Sequence, residues 1–209
     1  RTEKMRRDFV ANVSHELRTP ITIIRGYNEA IYDGMVTDAD MVQRYRKLIN
    51  EETIRLEKMV RGLLDVSRLQ ASEEIPNSNM DELPLAIIIR NVAEKLMIKS
   101  AEKHVEFSVD ADENIKILGN GDQMVQLILI LSDNALKYSP ENSIISLGAK
   151  KLEDGSVLFT VKDQGPGIPE EDIPFIWERF YKVDKSHCRN VPGTGLGLAI
   201  AKEIIRMHR

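Results

Sequence analysis

Apolar side chains return at helical spacing along the first part of the chain: Phe9, Val13, Leu17, Ile24, Ile31 and Met35, accompanied by Val10, Ile21 and Tyr27. At ~100° per residue these positions share about a third of the helix circumference, which predicts a long amphipathic helix with one core-facing stripe. Residues 34–38 (GMVTD) read as a turn, with Asp38 as the N-cap of a second helix. That helix is predicted by a second apolar series: Met41, Tyr45, Leu48, Leu56, Met59, Leu63 and Val66. Two such helices make a hairpin whose apolar stripe stays half wet in one copy. A homodimer closing into a four-helix bundle completes it.

The pattern then changes. Residues 73–79 (EEIPNSN) lack periodicity and carry a proline among turn formers, so they read as a linker between an all-α domain at 1–72 and a second domain at 80–209. In the second domain the spacing predicts a helix over 85–102, strands at 105–109 and 115–118, and a helix over 122–138. Strands at 144–152 and 157–162, a short helix near 172–178 and a last helix from residue 196 complete the series. The expected architecture is an α+β sandwich behind the hairpin.

Composition narrows the class without naming it. The 209 residues are 42% hydrophobic and 30% charged, with 29 Lys plus Arg against 33 Asp plus Glu, so no basic excess suggests nucleic acid as a partner. Cys188 stands alone, which excludes an internal disulfide and fits a reducing, cytoplasmic setting. The longest apolar runs, such as residues 127–131, fall far short of the roughly 20 residues that a bilayer span requires. A membrane is expected to be reached only through segments outside these residues.

Candidate chemistry begins at His15, within FVANVSHELRTPITII. On the same helical wheel His15 lies about 120° beyond the edge of the apolar stripe, so it points away from the core. Glu16 is adjacent, Thr19 lies one turn on, and Pro20 removes the donor for the carbonyl of Glu16, which is expected to bend the helix there. An imidazole attacks phosphorus through a neutral ring nitrogen and is helped by a group that accepts the proton of the other nitrogen. A carboxylate serves. Thr22, Gly26, Glu29 and Asp33 continue the azimuth of His15 as a polar strip.

Four further segments carry possible nucleotide chemistry. In DNALKYS (133–139) Asn134 offers a carboxamide oxygen to Mg²⁺ and Lys137 a cation to phosphate. In DQGPGIP (163–169) Asp163 is an acceptor for an adenine amino group, with Gly165 and Gly167 allowing close backbone approach. FIWERFYKVD (175–184) is an aromatic cluster. PGTGLGLAIAK (192–202) places glycines at the opening of a helix, where free N–H groups and the helix dipole favour phosphate.

The run His15-Glu16-Leu17-Arg18-Thr19-Pro20 resembles, at every position, the phosphoacceptor box of two-component sensor histidine kinases. The four later segments resemble, in order, the N, G1, F and G2 boxes of the ATP-binding (GHKL, or Bergerat) fold that those kinases share with gyrase and certain chaperones. The resemblance covers essentially the whole chain. It implies ATP-dependent phosphorylation of His15, with Glu16 as orienter and proton acceptor, then transfer to an Asp of a response regulator receiver domain. It also implies regulator phosphatase activity through the Glu-x-x-Thr pair Glu16 and Thr19. ATP is expected at Asn134, Lys137, Tyr138, Asp163, Gly165, Gly167, Tyr181, Lys182, Gly193, Thr194, Gly195, Leu196, Gly197 and Leu198, with Mg²⁺ at Asn134. The residues between Phe180 and Gly193 would form a lid, with Lys182, Lys185 and Arg189 neutralising phosphate charge.

The match departs from the family at three places. Ile130 stands where a second Asn is usual, Lys182 where many relatives carry Arg, and the sequence ends at Arg209 before the family's last two strands. Those missing strands are expected to leave a sheet edge and part of an apolar face uncovered. The competing expectation is a dimeric phosphotransfer scaffold with a degenerate nucleotide site. A purely structural coiled coil accounts for the first 72 residues alone.

Overall fold

The computed structural model describes residues 2–71, 80–183 and 193–208. The linker at 73–79 and the lid residues Lys185 and Arg189 lie outside the described residues. Helix α1 spans Thr2–Tyr32 and α2 spans Ala39–Ala71, the hairpin that the periodicity predicts. α1 continues through Pro20, itself buried, to a turn at Gly34. Asp38 caps α2 as expected, its Oδ1 accepting from the Met41 N–H at 2.9 Å. Within the hairpin the Tyr27 and Tyr45 rings pack at 4.7 Å between centroids. In a single copy Val10 and Ile21 remain more than half exposed, the wet stripe that the pattern implied.

The second domain runs β1 (Asp81–Pro84), α3 (Leu85–Ala101), β2 (Glu106–Ala111), β3 (Lys116–Gly119), α4 (Gly121–Tyr138), β4 (Ile144–Lys151), β5 (Val157–Lys162) and α5 (Gly197–Met207). Among the described residues a three-stranded sheet has the order β2-β4-β5, with β2 parallel and β5 antiparallel to β4. Helices α3 and α4 pack against it, and α5 packs on α4 and α2. Ile128, Leu136, Ile145, Leu147 and Ile204 are almost completely buried between the layers, each contributing roughly 1.5–3 kcal/mol of transfer free energy. His208 pins the end of α5 to the start of α4: its Nε2 accepts from the Asn120 N–H at 3.1 Å, and the Asn120 side chain caps α4.

One element goes unpredicted and one expectation fails. Residues 81–84 (DELP) form β1, which pairs antiparallel with β3, Asp81 opposite Gly119 and Pro84 opposite Lys116. Four residues with a proline carry no alternation of their own, and only the partner strand makes them a strand. The short helix expected near 172–178 is instead a run of tight turns, with N–H bonds from Asp172 to Pro169, Phe175 to Asp172 and Glu178 to Phe175. Pro174 has no N–H to give and restricts Ile173 before it, so no regular helix propagates there.

The two parts of the chain share one core. Met59, Val66 and Leu69 of α2 are buried in the same cluster as α3, α4 and α5. Gln126 Nε2 donates to Asp65 Oδ2 at 2.8 Å across this contact. Gly62 admits Leu196, whose Cδ1 would lie 3.0 Å from a Cβ built there.

Candidate functional site

His15 is exposed on α1, on the side away from the hairpin packing, as the helical wheel indicates. Thr22, Gly26, Glu29 and Asp33 are exposed with it, a continuous polar strip. Thr19 Oγ1 donates to the His15 carbonyl at 3.4 Å, long enough to be a weak local bond that leaves the hydroxyl available. Glu16 is partly buried. Its Oε2 accepts from Lys182 Nζ at 3.4 Å, a bond between α1 and the aromatic segment after the tight turns.

The four segments of the second domain are brought together in pairs. Gly165 abuts the end of α4: a Cβ there would lie 2.8 Å from the Tyr138 carbonyl oxygen and 2.8 Å from Asp163 Oδ1. Asp163 is exposed, and its Oδ1 accepts from the Gly165 N–H at 2.8 Å, so its second oxygen remains for a further donor. Phe180 donates its N–H to the Gly195 carbonyl at 2.8 Å. Gly195 has φ +70°, and a Cβ there would come within 2.7 Å of the Phe180 backbone, so only glycine fits on both counts. Gly197, the first residue of α5, faces Ile130, whose Cγ2 would be 3.2 Å from its Cβ.

Asn134, in the last two turns of α4, is half buried. Tyr138, one turn further, is 43% exposed. Lys137 pairs with Asp133 at 2.9 Å, and Lys99 of α3 pairs with the same carboxylate. Burial raises the pKa of Asp133, but the hydrogen bonds and charges of Lys99 and Lys137 together outweigh it and hold the carboxyl below its ordinary value. This ion-pair triad was not among the sequence candidates. Its i,i+4 half, Asp133 to Lys137, was legible, whereas Lys99 lies 34 residues away and only the α3–α4 packing brings it close.

Gly193, Thr194 and Leu196 lead into α5, whose second residue is Leu198, and the Leu196 N–H contacts Thr194 Oγ1 at 3.4 Å. Leu196 is buried against α2, so of the nucleotide candidates it serves packing first. Gly167 has φ +77° and open space around it. Tyr181 turns inward, its hydroxyl hydrogen-bonded to Asp172 and its ring 5.7 Å from Phe175. No group of three or more potential carboxylate, His or Cys metal ligands exists among the described residues.

Residues 5–72 match the family described as His Kinase A (phospho-acceptor) domain, and residues 119–209 match the histidine kinase-, DNA gyrase B- and HSP90-like ATPases. The chain belongs to the sensor histidine kinases. It is 37% identical over 211 residues to sensor histidine kinase WalK of Bacillus subtilis, covering 99% of this chain and 34% of that protein. The chain spans about a third to a half of the length of the curated relatives it matches. Among solved structures it resembles histidine kinase ThkA in complex with response regulator protein TrrA, with a TM-score of 0.68 and 26% identity over 88% of this chain and 53% of that one. The Acinetobacter baumannii histidine kinase AdeS shares the fold, with a TM-score of 0.71 at 24% identity over 92% of this chain and 86% of that one. Among the described residues no helix of this kinase core is long and apolar enough to cross a membrane.

Proposed function

We propose that this chain is the autokinase core of a two-component sensor, in which residues 80–209 hold Mg·ATP and residues 1–72 carry the phosphoacceptor His15. The observation that carries this reading is the contact between Lys182 and Glu16, which sets the segment bordering the nucleotide face against the residue beside His15. ATP is held by the second carboxylate oxygen of Asp163 on the adenine side and by Lys137 and the Gly193–Gly197 turn on the phosphate side. Mg²⁺ on Asn134 supplies charge neutralisation to the phosphates. A neutral ring nitrogen of His15 attacks the γ-phosphorus, the bond to the β,γ-bridging oxygen breaks, and ADP leaves with that electron pair. Glu16 receives the proton of the other ring nitrogen. Lys182, already at Glu16, is placed to follow the transferring charge.

From His15 the phosphoryl group passes to an Asp on a receiver domain lying along Thr22, Gly26, Glu29 and Asp33. The likeness to ThkA, solved in complex with a response regulator protein, supports this partner class. Glu16 and Thr19 serve a separate reaction, hydrolysis of the regulator's aspartyl phosphate, in which Thr19 holds the attacking water and inorganic phosphate leaves from the freed Asp carboxylate. The acting unit is a homodimer closed over the exposed stripe that includes Val10 and Ile21, on the cytoplasmic side of a membrane reached through other segments.

Incubation with γ-labelled ATP and Mg²⁺, followed by acid and base treatment, tests the reading. Acid-labile, base-stable label on His15 supports it, and acid-stable label or none overturns it. A second reading, a phosphotransfer scaffold with a defective nucleotide site, draws on Ile130, whose methyl meets Gly197 where the family commonly has a polar side chain. Titration calorimetry with Mg·ATP separates the two.

A further inference from the structure

Helix α4 carries Asn134, Lys137 and Tyr138 in its last two turns, and a helix leaves its last four carbonyls without intrahelical donors. Here a side chain from a different element takes three carbonyls at that end. Lys103 Nζ donates to the carbonyls of Leu136 at 2.9 Å, Lys137 at 3.0 Å and Ser139 at 2.7 Å, which uses every donor an ammonium has. Lys103 reaches this point because the chain after α3 reverses sharply. The N–H groups of Lys103 and Val105 both bond the Ser100 carbonyl, and His104 between them has φ +52°.

The carbonyl that Lys103 does not take is that of Tyr138, and it is the one pressed against Gly165, where a Cβ would be only 2.8 Å away. Gly165 in turn donates its N–H to Asp163. A continuous line of contacts thus runs from the Lys103 ammonium through the α4 terminus to the carboxylate assigned to the adenine side. A cation at a helix C-terminus is also favoured by the helix dipole.

We propose that Lys103 is a positioning residue for nucleotide binding: it clamps the end of α4 and thereby sets Asn134, Lys137 and the Tyr138–Gly165 contact that orients Asp163. Its ammonium acts through main-chain carbonyls, that of Lys137 among them. The inference rests on the nucleotide face described above, and it concerns ATP affinity alone, since His15 lies on α1.

The test compares the unmutated protein with Lys103→Met in autophosphorylation and in transfer to the regulator from His15 loaded with phosphoramidate. Removing three charge-assisted bonds should raise KM for ATP about tenfold while kcat and the transfer rate stay within about twofold. Amide exchange should quicken in the last turn of α4 and at Gly165, with β4 unchanged. An unchanged KM overturns the proposal, and so does a joint fall in kcat and transfer with faster exchange throughout the domain. Should Lys103→Met not fold, Lys103→Arg keeps the charge but replaces a point donor by a planar fork, and about a threefold rise in KM with kcat kept is expected. An unchanged KM for Lys103→Arg again overturns it. Failure of Mg·ATP to bind the unmutated protein removes the nucleotide-face reading and this inference together. Binding that ignores Lys103 removes the clamp alone.

Discussion

The face of α1 proposed to carry the phosphoacceptor and the face of the α+β domain proposed to hold the nucleotide solve opposite problems. His15, Glu16 and Thr19 sit within two helical turns, and their relative placement follows from the helix itself. The nucleotide face draws on α4, the turn after β5, the tight turns before Phe180 and the glycines before α5, which meet through close backbone approaches at Gly165, Gly195 and Gly197. The first site is local, with His15 and Thr19 exposed and Glu16 half-buried, and none of the three belongs to the apolar core. The second is non-local, and its parts belong to the packing that holds the domain together. A substitution at the first should therefore remove chemistry and spare the fold, whereas one at the second should change affinity and stability together.

The sharpest test of that contrast is His15→Gln. Labelling from ATP should vanish, while melting temperature and dimer mass by sedimentation stay as they were. A melting temperature lowered by several degrees would show that the exposed site is structural after all. Next comes Thr19→Ala, expected to cut regulator dephosphorylation by about tenfold or more while autophosphorylation falls less than about twofold. Equal loss in both assays would assign Thr19 to its weak bond with the His15 carbonyl and not to a water.

On the nucleotide side, Asn134→Ala should weaken Mg·ATP binding about tenfold by calorimetry, through loss of the single protein ligand proposed for Mg²⁺. Equal affinity would mean that the metal site lies elsewhere. The smallest effect is expected at Asp133, which joins Lys99 and Lys137. Its carboxyl is depressed in the folded protein, so its contribution is fully present above the ordinary value of 3.8 and is lost as pH falls through the lower folded value. Asp133→Asn should thus cost about 1 kcal/mol of stability near neutral pH, with the two proteins converging in strong acid. A difference that persists undiminished in acid would rule the ion pairs out as its cause.

The same contrast explains what could be read in advance. Periodicity alone determined the hairpin, the Asp38 cap, the exposure of His15 and the limits of α4 and β5, because each depends on neighbours within a few residues. Spacing within segments likewise marked Gly165 and Gly167 as positions where the backbone turns or comes close. Residue letters say nothing of which backbone carbonyl another segment will need. For that reason β1, the run of turns at 172–178, the Lys99–Asp133–Lys137 triad and the Lys103 clamp came only from the tertiary structure, as did the bond from Lys182 to Glu16. Local pattern sets which face of an element is apolar. Long-range packing decides which of its polar groups meet, since many of those contacts use main-chain atoms that every residue carries alike.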